Sequence, residues 1–435
     1  MSLPAGSVPW LFLFVTAAGS VFTWNAYFPR RHQSLFVVPS FFAGWLTSEL
    51  VAHHFAWQLA ATVLFVWLGA LEAWPGWVGL GLTVASWAAM LALVPVAGRS
   101  RDVVEGALRE ALGPDYGARV AADTSAWTRP DRRRSRLVVP FLLRDPAVRV
   151  VRDVRYAEGA GRRHLLDVYA PREGPTAPGA PVLLQVHGGA WVVGDKRQQA
   201  LPLMLHLAAR GWVCVAANYR LSPRTTFPDH LIDLKLALRW IRAHAAEYGG
   251  DPGFVAVTGG SAGGHLSALL ALTPNDPRFQ PGFEDVDTRL RACVPFYGLY
   301  DLANRFDHPH WRGLERFWSR LVLKRRFAED PQAYRDASPA EHARADAPPF
   351  FVIHGTHDSL APVAEARAFV AHLGAVSRSP VAYAEVPGAQ HAFEIFHSLR
   401  TRHVVEGVAR FLAWVHAGRV PAAVVAPTPR RLAGP

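Results

Sequence analysis

The sequence predicts an α/β protein with a mostly parallel sheet covered on both faces, preceded by an apolar helical region. Three observations predict it. Among the first 98 positions only Arg30, Arg31, Glu49 and Glu72 are charged, a composition suited to an apolar surrounding. From Val148 onward, short apolar runs alternate with helical patterns, the sign of repeated strand and helix units. The hydrophobic fraction of 50% over 435 residues supplies ample material for a large core.

The charges of the first 98 positions cancel, so the formal net charge of +11 sits on residues 99 to 435. The surplus is arginine, since the only lysines are Lys196, Lys235 and Lys324. No basic run is interleaved with aromatics and no nucleic-acid motif occurs, which argues against a nucleic-acid partner. Arginine near a bilayer is instead attracted to anionic lipid. Cys214 and Cys293 lie in the apolar runs WVCVAA and RACVPF and read as buried free thiols.

In chain order, Val8 to Phe28 is an uncharged run of 21 residues and Trp77 to Gly98 one of 22. Each matches the roughly 20 residues that cross a hydrocarbon core. Phe55 to Leu71 is shorter, and the AWPGW that follows suits an interfacial loop, so it reads as a third span. The intervening LFVVPSFFAGWLTSELVAHH is broken by Pro39, Gly44 and Glu49 and reads as a short fourth helix or an interfacial segment. Glu49 and His53, four apart, would share a helix face; they mark the water interface at a helix end, or form a proton relay or head-group site. Arg30 and Arg31 follow the first span and Arg99 and Arg101 the last, which by the positive-inside bias places the C-terminal part on the cytoplasmic side of a cell membrane.

The expected organisation is a transmembrane region at 1–98 with three or four spans, a charged linker at 99–145 with one amphipathic helix from Val103 to Leu112, a catalytic domain at 146–418, and an unordered Pro/Ala-rich tail at 419–435. Eight strands are expected at VRVVRDVRY, RHLLDVYA, PVLLQVHG, WVCVAANY, FVAVTGG, RACVPFYG, PFFVIHG and VAYAEVPG. Helices are expected at Lys196 to Arg210, His230 to Tyr248, Ala262 to Leu272, Val363 to Leu373 and Arg402 to His416. Ligands of such sheets bind at the C-terminal strand ends.

Gly259-Gly260-Ser261-Ala262-Gly263 sits at one of those ends and fits G-x-S-x-G, where glycines let a strand turn sharply into a helix and hold a serine in a strained, exposed position. His187-Gly188-Gly189-Ala190-Trp191 also follows a strand. Small residues there let backbone N–H groups form an oxyanion hole together with the N–H of Ala262. Serine needs a base, and the base an orienting acid. Asp358 follows the strand PFFVIHG and His391 the next, VAYAEVPG, giving the order Ser261, Asp358, His391. His354 and His357 are rival imidazoles and Asp301 a rival acid.

The region from about Val148 to Val415 resembles α/β-hydrolases of the hormone-sensitive-lipase-like and feruloyl-esterase-like carboxylesterase group. The resemblance rests on HGGAW (187–191), GDK (194–196), YRLSP (219–223), GGSAGG (259–264), HGTHDSLAPV (354–363) and GAQHAF (388–393). The whole arrangement is similar to membrane-associated actinobacterial esterases. The resemblance implies that Ser261, Asp358 and His391 are catalytic and that Gly188, Gly189, Ala190 and Ala262 supply the oxyanion hole. Ala190 stands where many relatives have a third glycine, and Arg224 where many have glutamate. The expected fold is thus an α/β-hydrolase fold with a cap insertion at Leu302 to Pro348.

The expected function is a membrane-anchored serine carboxylesterase or lipase acting on a lipophilic ester, with neither metal nor organic cofactor. An acyltransferase or deacylase using the same triad on a lipid or glycan is the alternative within the enzyme class; an inactive membrane receptor or scaffold is the alternative outside it. Because every catalytic element lies C-terminal to Ala180, the catalytic domain is expected to fold without the apolar helices.

Overall fold

A computed structural model describes residues 6–30, 36–120, 127, 135–174 and 179–418. The expected tail at 419–435, and positions 131–134 of the DRRRSR stretch, lie outside the described residues.

One sheet organises the C-terminal part. Its strands are β1 (Val148–Arg155), β2 (Leu165–Pro171), β3 (Ala180–Val186), β4 (Val213–Ala217), β5 (Gly250–Gly260), β6 (Ala292–Phe296), β7 (Phe350–Gly355) and β8 (Val381–Val386). They lie in the order β1-β2-β4-β3-β5-β6-β7-β8. β2 runs antiparallel to both β1 and β4, and all other neighbours are parallel. Every residue of β3, β4, β6 and β7 is buried, as parallel strands covered on both faces require. The eight apolar runs of the sequence are these eight strands.

The N-terminal helices are α1 (Ser7–Tyr27), α2 (Val37–Glu49), α3 (Val51–Trp67) and α4 (Trp74–Gly98), with α5 (Ser100–Leu112) directly after Arg99 and a single turn α6 (Ser135–Val138). Among the described residues two helices, Ser7–Tyr27 and the run Trp74–Leu112, are long and apolar enough to cross a membrane, and the pair α2 and α3 makes up to three. α1 and α4 lie side by side in the same direction: Thr23 and Ser86 hydroxyls meet at 2.6 Å, and the Tyr27 hydroxyl donates to Ala89 O at 2.6 Å. α3 runs back between the two ends, its Phe65 ring against Phe12 and its Phe55 ring against Trp87.

α2 meets α3 at 93° and lies across the end of the bundle nearest the sheet, tied by the Ser40 hydroxyl donating to Asn25 Oδ1 at 2.6 Å. The expectation that Glu49 and His53 share a helix face is therefore corrected: the chain bends at Leu50 and puts them on different helices. Glu49 faces Arg400, while His53 Nε2 bonds Val138 O at 2.9 Å.

The remaining helices are α7 (Leu201–Ala208), α8 (Asp229–His244), α9 (Ala262–Leu272), α10 (Trp311–Phe317), α11 (Pro331–Asp336), α12 (Val363–Val376) and α13 (Leu399–Ala417). α8, α9 and α12 share one core cluster with one face of the sheet; α7 and α13 share another with the opposite face. α10 and α11 fall in the expected cap.

The second core is not made by the sheet and its own helices alone. Val104, Ala107, Leu108 and Leu112 stripe one side of α5 at helical spacing, and they join Phe41 and Trp45 of α2 in the cluster that holds Phe396, Val408 and Leu412. Val104 and Leu108 are fully buried. This packing bears on the expected independence of the catalytic domain, since removing the first 128 residues would uncover the apolar groups that these helices bury.

Candidate active site

β5 ends in Gly259-Gly260 and α9 begins at Ala262, which leaves Ser261 alone at the turn with φ 58° and ψ −122°. That conformation is strained for a residue with a Cβ, and the Ser261 N–H holds it by donating to Phe296 O at 3.0 Å. A Cβ on Gly263 would lie 2.1 Å from Val186 O, and one on Gly259 2.5 Å from Gly263 O. The G-x-S-x-G spacing is thus a packing requirement of strand, turn and helix.

The His187–Trp191 loop sits against this turn. A Cβ on Gly188 would stand 2.5 Å from Gly260 O and 3.1 Å from the Ser261 Cβ. Gly189, Ala190 and Trp191 all adopt positive φ, 112°, 52° and 62°. Trp191 is locked by its indole N–H, which donates to His265 Nδ1 at 3.2 Å, and His265 Nε2 in turn bonds Ala337 O of the cap at 2.7 Å. His187 stacks on Tyr219, whose hydroxyl donates to His187 O at 2.9 Å. Burial pushes the His187 imidazole down to about 4, so it is neutral near pH 7 and serves as packing. Among the four oxyanion candidates, the Gly188 N–H already donates to Gln199 Oε1 at 2.6 Å.

Asp358 and His391 follow neighbouring strands β7 and β8, and their side chains meet: His391 Nδ1 lies 2.7 Å from Asp358 Oδ2. The other oxygen, Oδ1, accepts the N–H groups of Leu360 at 2.9 Å and Ala361 at 2.8 Å. His354 Nε2 approaches Oδ2 at 3.2 Å and also donates to Ala361 O at 3.0 Å. Burial alone would raise the Asp358 carboxyl, but His391 and His354 outweigh it and hold the group far below the carboxylate range. Asp358 is therefore a fixed anion.

Of the rivals, His354 packs against the Asp358 carboxylate itself, whereas Asp301 and His357 are engaged elsewhere. Both Asp301 oxygens accept backbone N–H groups of its own turn, Arg305 and Phe306, each at 2.8 Å, and His357 Nδ1 bonds Ala26 O of α1 at 3.1 Å.

Several residues that complete the site carried no motif in the sequence. Gln390 Oε1 accepts from Ser359 N at 2.7 Å and from His391 N at 2.9 Å, stitching the two loops together. Tyr297, at the end of β6 with φ 36°, places its ring 4.4 Å from the His391 ring. Its hydroxyl would meet a Cβ on Gly260 at 2.6 Å and donates to Glu394 Oε1 at 2.5 Å. Tyr297 is thus packed between the serine turn and the histidine. Burial pushes the Glu394 carboxyl up to about 7, against the lowering effect of that hydrogen bond. The only sequence hint was position, since Gln390 and Glu394 flank His391 and Tyr297 ends a strand.

A parallel sheet with a serine turn after β5 and an acid and a histidine after its last two strands defines an α/β-hydrolase. The family model BD-FAE matches residues 166–373. The chain is 46% identical to the probable carboxylic ester hydrolase LipM of Mycobacterium tuberculosis, across 95% of this chain and 96% of that protein. It is 42% identical to esterase LipQ of the same organism, across 78% of this chain and 79% of that one. A thermophilic esterase of Thermogutta terrifontis solved with propionate bound superposes with a TM-score of 0.52 at 26% identity, covering 64% of this chain and 97% of that structure. The chain belongs to this α/β-hydrolase family of carboxylic ester hydrolases.

Proposed function

We propose that the protein is a membrane-anchored serine carboxylesterase in which Ser261, His391 and Asp358 form the triad. The observation that carries the reading is the 2.7 Å contact of His391 Nδ1 with the buried Asp358 carboxylate, at the same end of the sheet as the strained Ser261. Asp358 fixes the tautomer with hydrogen on Nδ1, which leaves Nε2 as the base. As Ser261 Oγ bonds to the acyl carbon, its proton passes to Nε2 and the carbonyl oxygen becomes an oxyanion. The N–H groups of Gly189, Ala190 and Ala262 are assigned to that oxyanion. Gly188 enters only as the residue that lets its loop approach the turn, because its N–H is engaged by Gln199. The tetrahedral intermediate expels the alcohol, which takes the proton from Nε2, and leaves an acyl-serine. Water attacks this ester with Nε2 again accepting a proton, and the acid and free Ser261 result.

The anchoring part of the reading is three crossing segments, α1, α3 and α4, with α2 lying across their domain-side end. α1 and α4 run in parallel, so the arginines that follow them, Arg30 and then Arg99 and Arg101, fall on the side of the hydrolase domain. The positive-inside bias makes that side cytoplasmic. A lipophilic ester drawn from the bilayer is the substrate class that fits such a placement.

The test is a panel of esters of rising acyl length given to full-length protein in lipid nanodiscs, with acid release and transfer to an added long-chain alcohol measured together. Acid release that dominates throughout is the expected result. Dominant transfer would favour the acyltransferase alternative, and no turnover or labelling at all the inactive scaffold.

A further inference from the structure

Both loops that carry the acid and the base touch the N-terminal bundle. On the acid side, His357, next to Asp358, bonds Ala26 O of α1. On the base side, the Phe41 ring of α2 stands edge-on to the His391 ring at 6.2 Å, and Trp45 packs on Phe396 at 5.1 Å. A Cβ on Gly44 would already lie 3.6 Å from Gln390 Nε2, the side chain that stitches the two loops.

At the end of α2 the contact becomes ionic. Glu49 Oε1 accepts from Arg400 Nη1 at 2.8 Å and Oε2 from the Ser398 hydroxyl at 2.7 Å. The Arg400 side chain is fully buried and that of Glu49 only 1% exposed. Arg400 also donates from Nη1 to Ser48 O at 3.1 Å and from Nε to Pro387 O at 2.9 Å. Its guanidinium therefore joins the last turn of α2 to the first residue after β8, four positions before His391. The next residue, Gly388, leaves no room for a side chain, since a Cβ there would be 2.9 Å from Arg400 Nη2. Gly388 N donates to Thr356 Oγ1 at 2.7 Å, which carries the same constraint to the Asp358 loop.

A buried ion pair is poor evidence for stability, because desolvation offsets its attraction, but it specifies one geometry where several apolar packings would serve. Here the specified geometry is that of the loop holding the base. We propose that α2 is a working part of the active site, and that its Glu49–Arg400 lock holds the His391 loop in register with Asp358. Glu49 and Arg400 are positioning residues: neither reaches the reacting atoms, and both act through Pro387, Gly388 and the loop they begin. This rests on the triad reading above.

The experiment uses full-length protein in nanodiscs with 4-nitrophenyl acetate. The double variant Glu49→Leu with Arg400→Leu removes both buried charges and retains bulk, an exchange that buried pairs commonly tolerate. The expected result is a fall in kcat of about tenfold or more with KM within about twofold and a cooperative melt that is lowered only by the loss of the donors to Ser48 O and Pro387 O, because the imidazole is misplaced in the transition state while ground-state binding is not. The rate of labelling by a fluorophosphonate should fall by the same factor. A folded double variant with wild-type kcat overturns the proposal. Should that variant not fold, Glu49→Gln decides: it keeps an acceptor oxygen, and a threefold or larger loss in kcat at constant KM supports the lock, whereas unchanged kcat overturns it. Failure of the triad reading looks different, since the unmodified protein would then not be labelled at Ser261.

Discussion

Replacing Asp358 by asparagine changes one atom, and the structure dictates which way the new amide must face. Oδ1 accepts two backbone N–H groups, from Leu360 and Ala361. An amide NH2 placed there would confront both donors and leave them unpaired, at about 1 to 3 kcal/mol for each buried group. The asparagine oxygen therefore stays on the Leu360 side, and the NH2 group takes the position of Oδ2, facing His391 Nδ1. A donor at that place forces Nδ1 to become the acceptor and moves the imidazole hydrogen to Nε2. That nitrogen then cannot take the serine proton. The loss expected in kcat is about 10⁴, equal to about 5 kcal/mol of transition-state stabilisation, as in a serine protease with the same change. The assay is steady-state hydrolysis of 4-nitrophenyl butyrate by the full-length protein, with Asp301→Asn alongside. Asp301 serves only its own turn, so that variant should stay within about threefold of the parent. A loss under tenfold for Asp358→Asn, or a larger loss for Asp301→Asn, would show that Asp358 is not the group that orients the base.

Other outcomes follow from the same contacts. Glu394, raised from 4.5 to about 7, keeps in the native state a proton that the unfolded chain releases above pH 4.5, so the native state loses stability as pH rises through that window. Glu394→Gln cannot titrate, and relative to the parent it should gain about 3 kcal/mol between pH 4 and pH 8; melting temperatures of both proteins at the two pH values check this, and an equal difference at each contradicts it. Gly263→Ala should prevent folding or lower the melting temperature by many degrees, since its Cβ would meet backbone at 2.1 Å; a normal melt would show that the turn relaxes freely. A chain beginning at Arg129 should aggregate or lose activity on a short soluble ester, because α2 and α5 complete the second core; a soluble truncation with full activity would show that this core closes without them.

How far the sequence revealed these features depended on how local their cause is. The eight strands were legible because each is a short apolar run that ends in turn residues, and α9 matched its expected limits, Ala262 to Leu272, because the glycines before it and Thr273 after it bound the pattern. The placement of Ser261, Asp358 and His391 at the ends of β5, β7 and β8 was legible because each comes directly after an apolar run that closes in turn residues. α2 was ambiguous, since its Pro39, Gly44 and Glu49 break the apolar run, and the packing of Gly44 against Asn25 and Gln390 and of Glu49 against Arg400 involves residues distant in the chain. The Glu49–Arg400 pair spans 351 positions, and no periodicity connects residues that far apart. The same holds for Tyr297 with Glu394 and for Gln199 with Gly188, where a side chain finds a partner on a different element. Glu49 and His53 misled for the opposite reason: a spacing of four implies one face only if the helix is unbroken, and this one turns at Leu50.

Every step proposed for the reaction depends on Ser261 being the nucleophile. Intact-protein mass spectrometry after exposure to a fluorophosphonate tests it most directly, with peptide mapping of the adduct on the full-length protein and on Ser261→Ala. One adduct is expected on the parent, located on the peptide that contains Ser261, and none on the variant, whose melting temperature remains that of the parent. An adduct on another residue, or labelling that persists in a folded Ser261→Ala protein, would contradict it.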